Sequence, residues 1–237
     1  MKNTISASGK KRRSRQWILL WLVPITISLG WKYPLIGYTV PLVMLAGMIG
    51  SFYRGRYVCG NLCPRGGFLE RILAPMSRNR RIPEFVRSAS FRGTAFVLLM
   101  GFMLYRGLQQ PTSLAHWGYV FWTMCVVTTV VAVLLAILIH PRTWCSFCPM
   151  GTMQNVIGGT KGQLLIEADL CKGCKLCEKS CSFTLAIVAN KEKGYLPERD
   201  CLKCSECINV CPTKALHWPE EKKVWPFPAQ QRYKKAA

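Results

Sequence analysis

Cys171-Lys172-Gly173-Cys174-Lys175-Leu176-Cys177-Glu178-Lys179-Ser180-Cys181 and Cys201-Leu202-Lys203-Cys204-Ser205-Glu206-Cys207-Ile208-Asn209-Val210-Cys211-Pro212 are two copies of one pattern, Cys-x2-Cys-x2-Cys-x3-Cys. A cubane [4Fe–4S] cluster needs four thiolates converging on iron, and the x2 spacings let one tight loop wrap three corners. The fourth cysteine of each run, set apart by three residues, serves the other cluster. The expectation is two clusters with crossed ligation: Cys171, Cys174, Cys177 and Cys211 for the first, and Cys201, Cys204, Cys207 and Cys181 for the second. Zinc also uses Cys-x-x-Cys pairs, but two complete runs, the second closed by Cys-Pro, argue against it.

From Leu164 to Trp218 the chain resembles the bacterial two-cluster ferredoxins, which implies a small α+β domain and electron transfer. It departs from them at Ser182, where that family usually has proline; no ligand is lost. Between the runs, Ala186-Ile187-Val188 and Gly194-Tyr195-Leu196 read as short strands around a turn, with Lys214 to Trp218 as the matching return. His217 reads as a strand residue rather than a ligand.

Outward from this module the composition changes. Of 11 acidic residues only Glu70 and Glu84 precede Gly162. The net charge of +21 sits mostly beside apolar stretches, where anchoring and orientation account for it better than nucleic acid does. Thirteen cysteines in a small secreted protein would suggest disulfides; here their spacing points to metal and a reducing compartment.

Four stretches approach the ~20 apolar residues that cross a bilayer. Trp17 to Phe52 reads as two helices joined by a short turn at Lys32, and Ser90 to Leu108 and Trp117 to Ile139 as two more. Trp31, Tyr33, Tyr105, Trp117 and Tyr119 fit one interfacial belt, and Trp17, Phe52, Tyr53 and Trp144 the other. The first 16 residues carry six Lys or Arg and the segment 54–92 nine arginines, against Lys32 and Arg106 on the other side. Both termini and the ferredoxin module are therefore expected on the cytoplasmic face of a bacterial or archaeal inner membrane, with the first helix uncleaved. The expected architecture is an α-helical membrane domain of four transmembrane helices in two pseudo-repeated hairpins (1–160). To it are fused a two-cluster ferredoxin domain (161–218) and a basic tail (219–237).

A second constellation lies at the membrane edge. Tyr57-Val58-Cys59-Gly60-Asn61-Leu62-Cys63-Pro64-Arg65-Gly66 follows the second span, and Arg142-Thr143-Trp144-Cys145-Ser146-Phe147-Cys148-Pro149-Met150-Gly151 the fourth. Each is a cysteine pair followed by Pro-x-Gly, which suggests an internal repeat about a pseudo-two-fold axis. Each proline suits the first turn of a short helix. Three readings stand open: packing cysteines without metal, two separate dithiols, or one site in which Cys59, Cys63, Cys145 and Cys148 together hold an additional Fe–S cluster or another thiophilic metal. Cys125, alone in the fourth span, reads as core packing. Arg54, Arg56, Arg65 and Arg71 read first as contacts to anionic lipid, with charge compensation of thiolate-bound iron or docking of an acidic partner as the alternatives. Lys172, Lys175 and Lys179 are candidates for steering a soluble electron carrier.

Nearly the whole chain resembles the NapH-type membrane ferredoxin proteins, with MauN- and NosR-type relatives, through its four spans, Cys59-x3-Cys63-Pro64, Cys145-x2-Cys148-Pro149 and the double cluster run. The resemblance implies a quinol dehydrogenase module that passes electrons between the quinone pool and partner redox subunits. His140 and His116, at opposite ends of the fourth span, are the quinone candidates. No haem-attachment Cys-x-x-Cys-His occurs. Two other functions fit the same motifs: a copper reductase or maturation factor for a membrane oxidoreductase, and a structural anchor for the ferredoxin module.

Overall fold

The computed structural model describes residues 7–219; Lys2 and the basic tail expected over 219–237, beyond its first residue, lie outside them. The chain is mostly helical. Helix α1 (Ala7–Leu19) runs into α2 (Leu22–Leu29), a 3-10 turn (Pro34–Tyr38) leads into α3 (Thr39–Arg54), and the short α4 (Tyr57–Asn61) and α5 (Pro64–Phe68) follow. After a π-helical turn at Leu69–Leu73 come α6 (Ala89–Leu108), α7 (Leu114–Leu138), α8 (Thr143–Phe147) and α9 (Pro149–Gly158).

Two helical runs, Pro34–Arg54 and Leu114–Leu138, are long and apolar enough to cross a membrane. The first expected span is interrupted. Pro24 lacks an N–H and its ring crowds the carbonyl of Leu20, so the helix breaks at Leu20–Trp21 and α2 has only 8 residues, about 12 Å of rise. Helix α6 is 20 residues long but contains Arg92 and Arg106. Helix α7 is apolar all round and buries a stripe of small residues, Gly118, Cys125, Thr128, Thr129, Ala132 and Ala136, which lets neighbouring backbones come close. The outward faces stay bare: Ile25, Leu42, Leu45 and Ile49 on one side and Val97, Leu98, Phe102 and Tyr105 on another are exposed. Contiguous apolar surface of this kind marks contact with a membrane or a partner. Trp144 is not part of a belt. It is 4% exposed and packs with Leu69, Leu73, Ala132 and Ala136.

The ferredoxin module holds a two-stranded antiparallel sheet, β1 (Leu165–Ile166) against β2 (Leu216–His217), so the expected return strand is present. Tyr195 adds one bridge to Leu165, whereas Val188–Asn190 forms a 3-10 turn instead of the expected strand. Each cysteine run ends on a one-turn helix, α10 (Leu176–Lys179) and α11 (Glu206–Val210). The residues before them, Lys175 and Ser205, adopt positive φ (57° and 63°), the backbone twist that turns each loop around its cysteines. The core of the module comprises Leu164, Ile166, Phe183, Leu185, Ile187, Leu196, Leu202 and Leu216.

Candidate iron–sulfur sites

In the module, one small cavity is lined by Cys181, Cys201, Cys204 and Cys207, the four residues expected to share the second cluster. Burial pushes the Cys201 thiol up to about 12 and Cys207 higher still, and Cys181 adds to both. Cys211 stands near enough to Cys177 to add to the rise that burial causes there, to about 11. Such thiols hold their protons at neutral pH until a cation displaces them, so iron binding here releases protons. The two quartets differ in access. Cys174 is exposed, with Lys172, Lys175 and Lys179 exposed around it. Leu202 and Lys203, inside the second run, are buried.

Leu202 and Lys203 are buried because the second run sits on the membrane-edge segment. A Cβ on Gly60 would come within 2.0 Å of the Leu202 carbonyl oxygen, so only glycine permits this backbone contact. Asn61 donates to the Lys203 carbonyl at 3.2 Å. Cys59 and Cys145 pack against the same apolar core as Cys201 and Cys204.

Both Cys-Pro motifs fold alike. Cys63 caps α5 and Cys148 caps α9, with proline at the first position of each helix, as the sequence predicts. The four thiols converge: burial raises Cys59, with Cys63, Cys148 and Cys145 adding to the effect and Arg56 opposing it. Cys63 is raised by burial and then by Cys145. Among the described residues no three His, Cys, Asp or Glu side chains gather tightly enough for a single metal ion. A multi-iron cluster is held by four cysteine thiolates and takes hydrogen bonds on its sulfurs. The donors around the quartet suit such a cluster. Thr143 Oγ1, Ser146 Oγ, Thr152 Oγ1, Arg56 Nε and Arg142 Nε are all buried without an acceptor, and cluster sulfur accepts hydrogen bonds of this kind.

Charged residues complete the site. Arg56 is 1% exposed, so the lipid reading fails for it; it donates to the Cys145 carbonyl and to Asp200, each at 2.7 Å. Arg142, fully buried, donates to the Cys59 carbonyl at 3.4 Å and to Cys145 Sγ at 3.8 Å, and pairs with Glu70. Burial alone would raise the Glu70 carboxyl, but Arg142, Arg12 and Arg71 outweigh it and hold it at about 2. Arg12 bridges Glu70 and Glu206, at 2.8 and 2.5 Å. Arg92 joins Arg56 on Asp200 at 2.5 Å. Arg71 donates to Gln16, and Arg65 reaches the Cys125 carbonyl at 3.4 Å. The available signal was Arg-x2-Cys, present before both Cys-Pro motifs as Arg56-x2-Cys59 and Arg142-x2-Cys145.

The two histidines stand apart. His116 and Arg106 help line a cavity of about 330 Å³ between α6 and α7, with Phe102, Tyr119, Val120 and Met124. The His116 Nε2 lies 2.8 Å from the Arg106 carbonyl. His140 accepts the Arg142 N–H at 3.2 Å. His217 lies on β2, half-exposed, 3.6 Å from Glu167.

Comparison with known proteins accords with this geometry. The 4Fe-4S binding domain family matches twice, at residues 36–83 and 116–166, and each match contains one Cys-Pro motif. The 4Fe-4S dicluster domain family matches residues 170–216. The ferredoxin-type protein NapH of Haemophilus influenzae is 25% identical over 77% of this chain and 67% of its own. Two uncharacterized proteins of Methanocaldococcus jannaschii are 23% and 25% identical, over 74% and 68% of this chain and 69% and 71% of theirs. No solved structure matches. The chain is a NapH-like 4Fe–4S ferredoxin-type protein, and its chemistry is iron–sulfur electron transfer.

Proposed function

We propose that this chain, starting from that ferredoxin type, is a multi-pass membrane protein that relays single electrons through three iron–sulfur centres and exchanges them with a quinone. Cys171, Cys174, Cys177 and Cys211 hold the outer centre, and Cys201, Cys204, Cys207 and Cys181 the middle one. Cys59, Cys63, Cys145 and Cys148 hold the inner one. Each cluster supplies a reversible one-electron couple. The observation that carries the reading is the convergence of two repeated cysteine pairs into one quartet directly beneath the second run.

The exposed apolar faces support burial of α2, α3, α6 and α7 in lipid. Arg13, Arg54, Arg78, Arg80 and Arg81 remain exposed near the cysteine end, and they support a cytoplasmic placement of that end. The cavity beside His116 supports quinone binding, since it combines apolar walls with a few convergent polar groups. Its floor at Met124 adjoins Cys125, which Arg65 links to the Cys63–Pro64 turn.

Iron and acid-labile sulfide counts test the reading. About twelve irons per chain are expected, three cubanes, falling to about eight when Cys59 and Cys145 are replaced by serine. A count of about eight in the unaltered protein removes the inner centre from the proposal.

A further inference from the structure

Arg56 and Arg142 occupy the same position in the two halves, three residues before Cys59 and Cys145. Each reaches across to the opposite half, and Arg142 Nη1 also lies 3.8 Å from Cys145 Sγ in its own half. Arg56 Nη2 donates to the carbonyl of Cys145 and Arg142 Nη1 to that of Cys59. The crossing is built into the Pro-x-Gly segments. A Cβ on Gly66 would lie 2.6 Å from Arg142 Nη1, and one on Gly151 2.8 Å from Arg56 Nη2. Each glycine thus makes room for the arginine of the opposite half.

Their counter-ions break the symmetry. Arg142 pairs with Glu70, four residues after Gly66. Four residues after Gly151 stands Asn155, which has no charge; its amide holds Asp200 at 2.6 Å, and Asp200 supplies the carboxylate for Arg56. Asp200 belongs to the ferredoxin module and immediately precedes Cys201.

We infer that Arg56 and Arg142 are reciprocal positioning residues that order the two cysteine pairs and set the reduction potential of the centre between them, with the ferredoxin module supplying one of the two counter-ions. The inference rests on the proposed inner centre. A cluster on four thiolates is anionic and gains negative charge on reduction, so buried cations favour the reduced form and buried carboxylates the oxidised form. Net charge and hydrogen bonding are the levers by which a protein moves such a potential, and burial keeps their effect from being screened.

Potentiometric titration of the full chain in detergent, followed by electron paramagnetic resonance, tests this. Replacing Arg142→Gln or Arg56→Gln is expected to weaken reduction of the inner centre at least tenfold, 59 mV for one electron. Replacing Glu70→Gln or Asp200→Asn is expected to shift it the same amount in the opposite direction. Arg142→Lys, which keeps the charge, stays closer to the unaltered protein. If the glutamine variants at arginine lose their iron, Arg142→Lys and Glu70→Gln decide. Opposite signs for cation and carboxylate are not produced by a general loosening of the fold. Potentials that stay within threefold, or that all fall together, overturn the inference alone. Absence of a third signal in the unaltered protein overturns it together with the proposed inner centre.

Discussion

Arg56 and Asp200, 144 positions apart in the chain, meet at 2.7 Å in a contact that joins the helical domain to the ferredoxin module. Asp200 also receives Arg92 and Asn155, so one carboxylate gathers three elements of the helical domain onto the cluster loop.

Replacing Asp200→Asn leaves the guanidinium groups of Arg56 and Arg92 buried without their counter-ion. Breaking a buried pair from one side costs about 3–5 kcal/mol. Chemical denaturation should show a loss of that size, with earlier proteolytic cleavage between 159 and 164, where the two parts join.

The glycine cradles predict a position-dependent cost. Gly66→Ala and Gly151→Ala force a methyl against a buried guanidinium and, at 3.3 and 3.0 Å, against the carbonyls of Cys59 and Cys145. A loss of about 1–3 kcal/mol is expected from each. On α6, a Cβ at Gly101 meets nothing within 4 Å, so Gly101→Ala should be neutral or stabilise by up to about 1 kcal/mol. Thermal unfolding of the three variants side by side gives the comparison.

Glu70 makes stability depend on acid. Its folded value of about 2 lies below the ordinary 4.5, so its ion pairs contribute fully above pH 4.5. The contribution fades as pH falls from 4.5 through 2, amounting to roughly 3 kcal/mol. Denaturation of the unaltered protein and of Glu70→Gln between pH 6 and 2.5 should converge at the acid end. Parallel curves would contradict this account.

Of the two histidines, His116 is expected to matter to quinone chemistry. His116→Ala should weaken binding of a short-chain quinone analogue at least tenfold, while His140→Ala, whose ring accepts the Arg142 N–H, should stay within twofold. Equal effects at both positions would remove the cavity from the proposal. Fluorescence quenching by the analogue is a suitable measurement.

Local repetition carried most of what could be read in advance. Cys-x2-Cys-x2-Cys repeated twice, and the two Cys-Pro-x-Gly segments, are patterns a few residues wide, and the prolines start helices α5 and α9 as expected. The return strand at Leu216–His217 was legible for the same reason. What was not legible depends on partners far away in the chain. Arg56 was read against lipid because its neighbours are apolar and basic, and Asp200 gives no local sign of its role. Trp144 was placed in a belt because it ends an apolar stretch, although Ala132 and Ala136 on α7 leave room for it inside. The first span shows a subtler loss: its hydropathy is continuous, and only the reach of the Pro24 ring to the Leu20 carbonyl breaks it.

The unequal burial of the cysteine quartets has a consequence for handling in air. Cys174 is open to solvent, whereas Leu202, Lys203 and Cys207 of the second run are buried. Dioxygen dissolved in water meets the outer quartet first, so oxidative damage should advance inward in stages. On the proposed three-centre reading, a preparation aged in air would then contain chains missing only the outermost iron, a population that a single bulk iron count would average away.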